Sequence, residues 1–266
     1  MKSPELKEYE WREKRRGKIT ASVLPDLMQA GRGKIFGTKA IEAMFAIRYE
    51  RRTGIVREST SSKAMDWGNQ NEPLAVEWLR SQFMQHIESC SHDCEDIVFN
   101  EPLPGFGDSP DAYMYDFEGV RDAVIEIKCP ISQSKIEALQ LLKSVTKDTE
   151  YYWQFIGHFI GSPDVDTLYC AIYDAYRNRG QILEMKRADH VEAIQEATER
   201  IRLCNEVIDE SLRSGRDFES CVDKAQKVLV MRMQIESLKT GAKGSVPVQN
   251  EIYRLKRELK RLINNN

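Results

Sequence analysis

The sequence predicts an α/β protein in which a mixed central β-sheet is flanked by helices, with a helical extension at the C-terminal end. Three observations lead there. Short strand-like runs are interspersed with longer stretches of helical periodicity, the pattern of a sheet covered by helices. Ala112 to Tyr115 and Ala123 to Lys128 flank the turn residues Asp116-Phe117-Glu118-Gly119, as in an antiparallel hairpin. Past residue 215 the strand-like runs stop and only helical stripes remain.

In chain order, helices are expected near 5–14, 22–29, 38–53 and 63–85, with Thr38 as an N-cap and Gly54 as the residue that ends the third helix. Strands follow near 96–101, 111–116 and 123–128, then helices near 132–145 and 149–161. Strands near 166–173 and 180–186 come next, joined by 174–180. A long helix near 189–213 carries Val191, Ile194, Ile201, Cys204, Ile208 and Leu212 on one face. Val228, Met231, Ile235 and Leu238, then Val248, Ile252, Leu255, Leu259 and Leu262, lie either side of a Gly/Ser-containing connector at 240–245. They predict a helical hairpin that packs on itself, on the core or on a neighbouring subunit, or serves as a partner-binding or DNA-contacting arm. The chain therefore divides into a main domain, 1–215, and an extension, 216–266.

With 266 residues, 41% hydrophobic and 30% charged, the chain can bury a sizeable core beneath a polar surface. No apolar run nears the roughly 20 residues that span a bilayer, and the first residues lack a signal-peptide core, so a cytoplasmic location without membrane contact is expected. Six irregularly spaced cysteines suggest free buried thiols rather than a disulfide framework or an iron–sulfur site. His86, Cys90, His92 and Cys94 form a possible zinc cluster, but their spacing is not that of a zinc finger and the segment reads as a loop.

The net charge of −3 conceals a division. Residues 1–60 hold 14 Lys+Arg against 8 Asp+Glu, residues 224–266 hold 10 against 3, and the middle holds 15 against 31. An acidic centre suits cation capture, while phosphate contact falls to the basic ends, especially Lys14, Arg15, Arg16, Lys18, Arg32, Lys34, Arg48, Arg51 and Arg52.

The hairpin carries the chemistry. Asp111 begins one strand and Glu126 lies near the end of the other, so the two carboxylates meet, and alternation puts Glu126, Lys128 and Val124 on one face with Ile125 and Ile127 on the other. Two carboxylates at one point repel unless a cation joins them, and with the Ile127 main-chain carbonyl they offer oxygen ligands to Mg²⁺ or Mn²⁺. An ion held there can polarise a phosphoryl oxygen and acidify a water, the requirements of phosphodiester hydrolysis. Lys128 beside it could act as a general base or, charged, stabilise developing negative charge. Taken alone, the same residues also fit a surface hairpin with a same-face ion pair.

Further motifs stand in a set order: Trp11 with Arg15-Arg16-Gly17-Lys18-Ile19-Thr20-Ala21-Ser22, Trp67-Gly68-Asn69-Gln70-Asn71-Glu72, Ser109-Pro110-Asp111, Glu126-Ile127-Lys128-Cys129-Pro130 and Tyr151-Tyr152-Trp153-Gln154. Over about residues 11–190 this order resembles the phage lambda exonuclease and YqaJ-type viral recombinase family of PD-(D/E)xK nucleases. The resemblance implies a restriction-endonuclease-like core in the 1–215 domain, digesting linear double-stranded DNA from its 5′ ends. It implies Asp111 and Glu126 as metal ligands, Lys128 as the catalytic lysine, Glu72 as a carboxylate reaching the metal site and Gln154 as the glutamine bordering it.

Arg15, Ser22 and Ser109 match positions that hold the 5′-terminal phosphate, a role suited to a guanidinium and hydroxyls; Ser22 could also be a helix N-cap. The chain departs from the family in two places. Ile156 stands where relatives carry a second glutamine, and Ser134 with Lys135 stands where they offer an arginine to the phosphate pocket. The resemblance also implies a homotrimeric ring, a single-strand annealing protein as partner and, for a phage-encoded chain, the bacterial host cytoplasm. Alternatives are a structure- or site-specific endonuclease on the same scaffold and a non-catalytic DNA-end-binding module.

Overall fold

The computed structural model describes residues 3–56, 62–90, 97–100, 102–241 and 246–264. Five strands form the main sheet: β2 (His86–Ser89), β5 (Ala112–Tyr115), β6 (Arg121–Lys128), β7 (Thr167–Asp174) and β8 (Arg179–Lys186), in the order β2-β5-β6-β7-β8. Only β6 and β7 are parallel; the other pairs are antiparallel, so the sheet is mixed as expected. A small second sheet joins β1 (Ile19–Thr20), β4 (Phe106–Asp108) and β3 (Val98–Phe99) in the order β1-β4-β3.

The two faces of the main sheet are covered by different helices. On one face Ile125, Ile127, Ala112 and Met114 pack under Ala75, Val76 and Leu79 of α4 (Lys63–Gln82). On the other, Val124 and Leu168 meet Phe155 and Phe159 of α6 (Tyr152–Gly161), backed by Ile201 and Ile208 of α7 (Val191–Ser214). Burying a phenylalanine such as Phe155 or Phe159 contributes about 2 kcal/mol, which fixes α6 firmly over the sheet. Gly157 permits a close approach there: a Cβ on it would stand 2.7 Å from the Ala21 Cβ, in the short 3-10 turn Ala21–Val23.

Several elements are shorter than their sequence patterns predict, or were not predicted. The hairpin forms as β5 and β6, and α3 (Thr38–Thr53) has the expected length, closed by Gly54 at φ +70°. Gly37, rather than Thr38, is its N-cap. The helix expected over 22–29 is the 3-10 turn followed by one turn of α2 (Leu24–Leu27), and that over 132–145 is confined to α5 (Gln133–Gln140). β2, read as loop, is a polar edge strand with one buried residue, Ile87, so periodicity had little to register. β4 is three residues with a glycine in the middle.

At the N-terminal end, α1 (Pro4–Arg15) is capped by the Ser3 hydroxyl. At the C-terminal end, α8 (Phe218–Gly241) begins ten residues before the stripe that predicted it and pairs with α9 (Val246–Asn264). Ile235 and Leu255 are buried in the seam, and the other stripe residues are half-buried. Cys90, Cys129, Cys170, Cys204 and Cys221 are free thiols; His92 and Cys94 lie outside the described residues, and His86 rests against Tyr115. Arg48 and Arg51, counted above among phosphate contacts, instead tie α3 to α7 through Ser211, Asn205 and Asp209.

Candidate active site

Strand register brings the first two carboxylates together. Ala112 pairs with Ile125, which sets Asp111 and Glu126 abreast at the end of the hairpin. The backbone of Asp111 is fixed by Cys90, whose N–H donates to its carbonyl at 2.9 Å, and its Oδ2 accepts the Ile127 N–H at 2.6 Å.

Glu126 is only 3% exposed and is held from several sides. Its Oε1 accepts from Lys128 Nζ at 2.7 Å and from Gln154 Nε2 at 2.5 Å, and Lys128 also donates to Gln154 Oε1 at 2.9 Å. His158 Nε2 stands 2.9 Å from Oε2, within ion-pair range but out of line for a good hydrogen bond. Lys128 further lies over the Tyr151 ring, 4.6 Å from its centroid.

The ionisation states follow from burial set against these contacts. Burial alone would push Glu126 up, but Lys128 and His158 prevail and hold it low, at about 2. Burial would likewise lower Lys128, yet Glu126 and Asp111 keep it above the ordinary lysine value, hence an ammonium. Asp111 is pushed well above the usual carboxylate range by burial and by Glu126 and Glu72, and Glu72 rises to about 7 by burial and Glu126. Glu72 comes from α4, one residue before Pro73, and with the hairpin carboxylates makes a cluster of three acids facing one ammonium.

A second cluster gathers beside the first. The Arg15 guanidinium stacks on Trp11 at 4.0 Å and donates from Nη2 to Thr20 Oγ1 at 3.1 Å and Ser22 Oγ at 3.0 Å. The Trp11 indole donates to Ser109 Oγ at 3.3 Å. Burial lowers Arg15 to about 10, partly offset by Asp108 and Glu126, so it stays charged at neutral pH close to the acidic cluster. Ser22 is not a helix cap: it sits inside the 3-10 turn, and α2 has no side-chain cap. Lys135 stands apart from this guanidinium, paired with Glu150 at 3.0 Å and 5.2 Å from the Tyr151 ring that Lys128 also covers.

Sequence reasoning missed Asp108, His158 and Thr20. His158 is 1% exposed and lies between two acids, with Nδ1 2.9 Å from Asp108 Oδ1. Burial would lower it, but Asp108 and Glu126 raise it to about 10. Its spacing was the available signal, since it follows Gln154 by four residues and shares that helix face.

Among the described residues, no three His, Cys, Asp or Glu side chains form a ready-made metal cage. The donors present still suit a hard ion that keeps most of its waters, which needs one or two carboxylates. Glu126 Oε2 is a buried oxygen with no hydrogen-bond partner, and the raised Asp111 and Glu72 mark a repulsion that a cation relieves.

The fold, a mixed sheet flanked by helices and consistent with the restriction-endonuclease-like core expected from the sequence, is similar to that of a phage-related exonuclease from Haemophilus somnus 129PT. That structure aligns with a TM-score of 0.54 at 14% identity, over 75% of this chain and 96% of the other. The comparison with curated proteins gives no match. Residues 10–162, which hold both clusters, match the family described as the YqaJ-like viral recombinase domain, and this chain belongs to that family.

Proposed function

We propose that the chain is a divalent-metal-dependent exonuclease that degrades one strand of linear double-stranded DNA from the 5′ end, leaving 3′ single-stranded tails for recombination by annealing. The observation that carries this reading is the meeting of Asp111, Glu126 and Lys128 at one sheet end, beside the pocket of Arg15, Ser22 and Ser109. Family membership supports it.

In this reading Asp111, Glu126 and the Ile127 carbonyl hold Mg²⁺ or Mn²⁺, with Glu72 assisting. When bound, the ion supplies Lewis-acid polarisation of the scissile phosphate and a more acidic water. Lys128, kept as an ammonium by Glu126 and Asp111, would stabilise the negative charge that grows on the phosphate oxygens. Gln154 bonds both Lys128 and Glu126, and so fixes the distance between ammonium and carboxylate. Arg15 and the two serines bind the terminal 5′ phosphate, which sets the scissile bond in register, and Lys135 adds a point charge outside that pocket. A homotrimeric ring around the duplex, a single-strand annealing partner and the host cytoplasm belong to the same reading and come from the resemblance.

The test is digestion of end-labelled duplexes, with and without a 5′ phosphate, beside a covalently closed circle in Mg²⁺. Shortening from phosphorylated 5′ ends with an untouched circle is expected. Nicking of the circle would favour an endonuclease, and no cleavage with any divalent ion would favour an end-binding module.

A further inference from the structure

We infer that His158, fixed from behind by Asp108, is a positioning residue that orients the Glu126 carboxylate and so sets how tightly the site holds its divalent ion. The inference rests on the proposed metal-dependent reading of the site. It starts from an asymmetry in how Glu126 is gripped. Lys128 and Gln154 both bond Oε1, which pins one oxygen but leaves the carboxylate free to swing about it. Oε2 is approached from the other side by His158 Nε2, at 2.9 Å.

A carboxylate oxygen accepts along two lone pairs, and the out-of-line contact with His158 fills neither, so Oε2 keeps the capacity to take a ligand. Gln154 and His158 are one helical turn apart on α6 and reach the same carboxylate, each from its own side. Ile156, between them, is fully buried in the core and offers no polar contact.

The ring cannot turn freely, because Asp108 Oδ1 and Oδ2 lie 2.9 and 3.1 Å from Nδ1. Asp108 in turn sits against α6 only because residue 161 is glycine, since a methyl group there would collide with the Asp108 side chain. All three residues of the row Asp108, His158 and Glu126 are at most 3% exposed. A buried row of this kind has no use as surface charge. It resembles the outer hydrogen bonds that aim metal ligands, whose loss typically weakens metal binding roughly 10–100-fold.

The experiment is Mn²⁺ titration of the whole protein without DNA, followed by calorimetry, together with the Mg²⁺ dependence of duplex cleavage. His158→Leu should raise both the Mn²⁺ dissociation constant and the Mg²⁺ concentration for half-maximal cleavage at least tenfold, while kcat at saturating Mg²⁺ stays within a few-fold. His158→Gln, which keeps a donor toward Glu126, should recover most of the loss, and Asp108→Asn should give a smaller shift of the same sign. Unchanged or tighter Mn²⁺ binding in His158→Leu overturns the inference and leaves the nuclease reading intact; a wild-type protein that neither binds Mn²⁺ nor cleaves DNA overturns both. Should His158→Leu fail to fold, imidazole resonances of the wild type decide: a shift of the His158 ring on Mn²⁺-free Mg²⁺ addition is expected, and a ring that does not respond overturns the inference.

Discussion

The hairpin end of the sheet and the α8–α9 pair use charge in opposite ways. At the hairpin end, acids and bases are buried and mutually constrained: Asp108, Glu126 and His158 are 1–3% exposed, and each stands within 3.1 Å of another. In α9 the cations Arg254, Lys256, Arg257, Lys260 and Arg261 are all exposed, and the helix is held along a seam in which, among the described residues, Ile235 and Leu255 are buried. Desolvated charges need specific partners, so a change at the first region should alter chemistry. A solvated stripe tolerates substitution, so a change at the second should alter packing alone.

The largest expected effect is at the hairpin. Lys128→Ala should lower single-turnover cleavage by roughly 10³-fold, the scale on which a positioned acid–base or charge-stabilising group contributes. Asp111→Asn should abolish cleavage to a similar degree, yet raise the melting temperature of the metal-free protein, because it removes an acid that burial, Glu126 and Glu72 all disfavour as an anion. Full activity in Lys128→Ala would remove it from the chemistry.

A smaller effect is expected one cluster away. Arg15→Lys keeps the charge but loses the forked contacts with Thr20 and Ser22 and the stack on Trp11. Cleavage of 5′-phosphorylated ends should fall by roughly tenfold while 5′-hydroxyl ends change little, as expected for lost charge-assisted bonds. An unchanged ratio between the two ends would detach Arg15 from phosphate binding.

The same contrast explains what was legible in the sequence. The β5–β6 hairpin was readable because two strand-like runs flank the turn residues at 116–119, and with it the shared face of Glu126 and Lys128. The α8–α9 seam was readable because its stripe has helical spacing; all nine of its apolar residues are buried or half-buried. The Asp108–His158 contact was not, since it joins residues 50 apart across the α6–β4 packing, and nothing local marks a polar side chain as buried. Nor could composition distinguish Arg51, spent on Asn205 and Asp209, from Arg15, which faces the site.

Stability should carry the signature of the acidic cluster more weakly. Glu72 has a folded-state pKa raised to about 7 from 4.5, so its contribution is fully present below about 4.5 and is lost as pH rises through 7. Glu126, lowered to about 2, acts oppositely: its contribution is present above 4.5 and is lost as pH falls toward 2. Metal-free protein should therefore melt lower at pH 8 than at pH 5, by a few degrees at roughly 2–4 °C per kcal/mol for a chain of this size. Mn²⁺ should raise the melting temperature more at pH 8 than at pH 5, and Glu72→Gln should reduce the metal-free difference to the part that the raised Asp111 and His158 contribute with the same sign. Equal midpoints at the two pH values in the wild type would mean that Glu72 is not strained in the folded protein.

The smallest effect on chemistry is expected from the hairpin seam. Leu255 is 5% exposed, and truncating it to alanine removes packing worth about 2–3 kcal/mol, the low end for buried leucines because two thin helices can close over the gap. That energy is local to the α8–α9 seam, and α8 meets the rest of the chain at its other end, through α7 and through Phe218 against Phe45 and Arg48 of α3. Leu255→Ala should therefore speed amide exchange in α9 while leaving the cleavage rate on a short duplex within twofold. A large fall in that rate would mean that the charged stripe of α9 is held in place for catalysis, and the separation between the two regions would collapse.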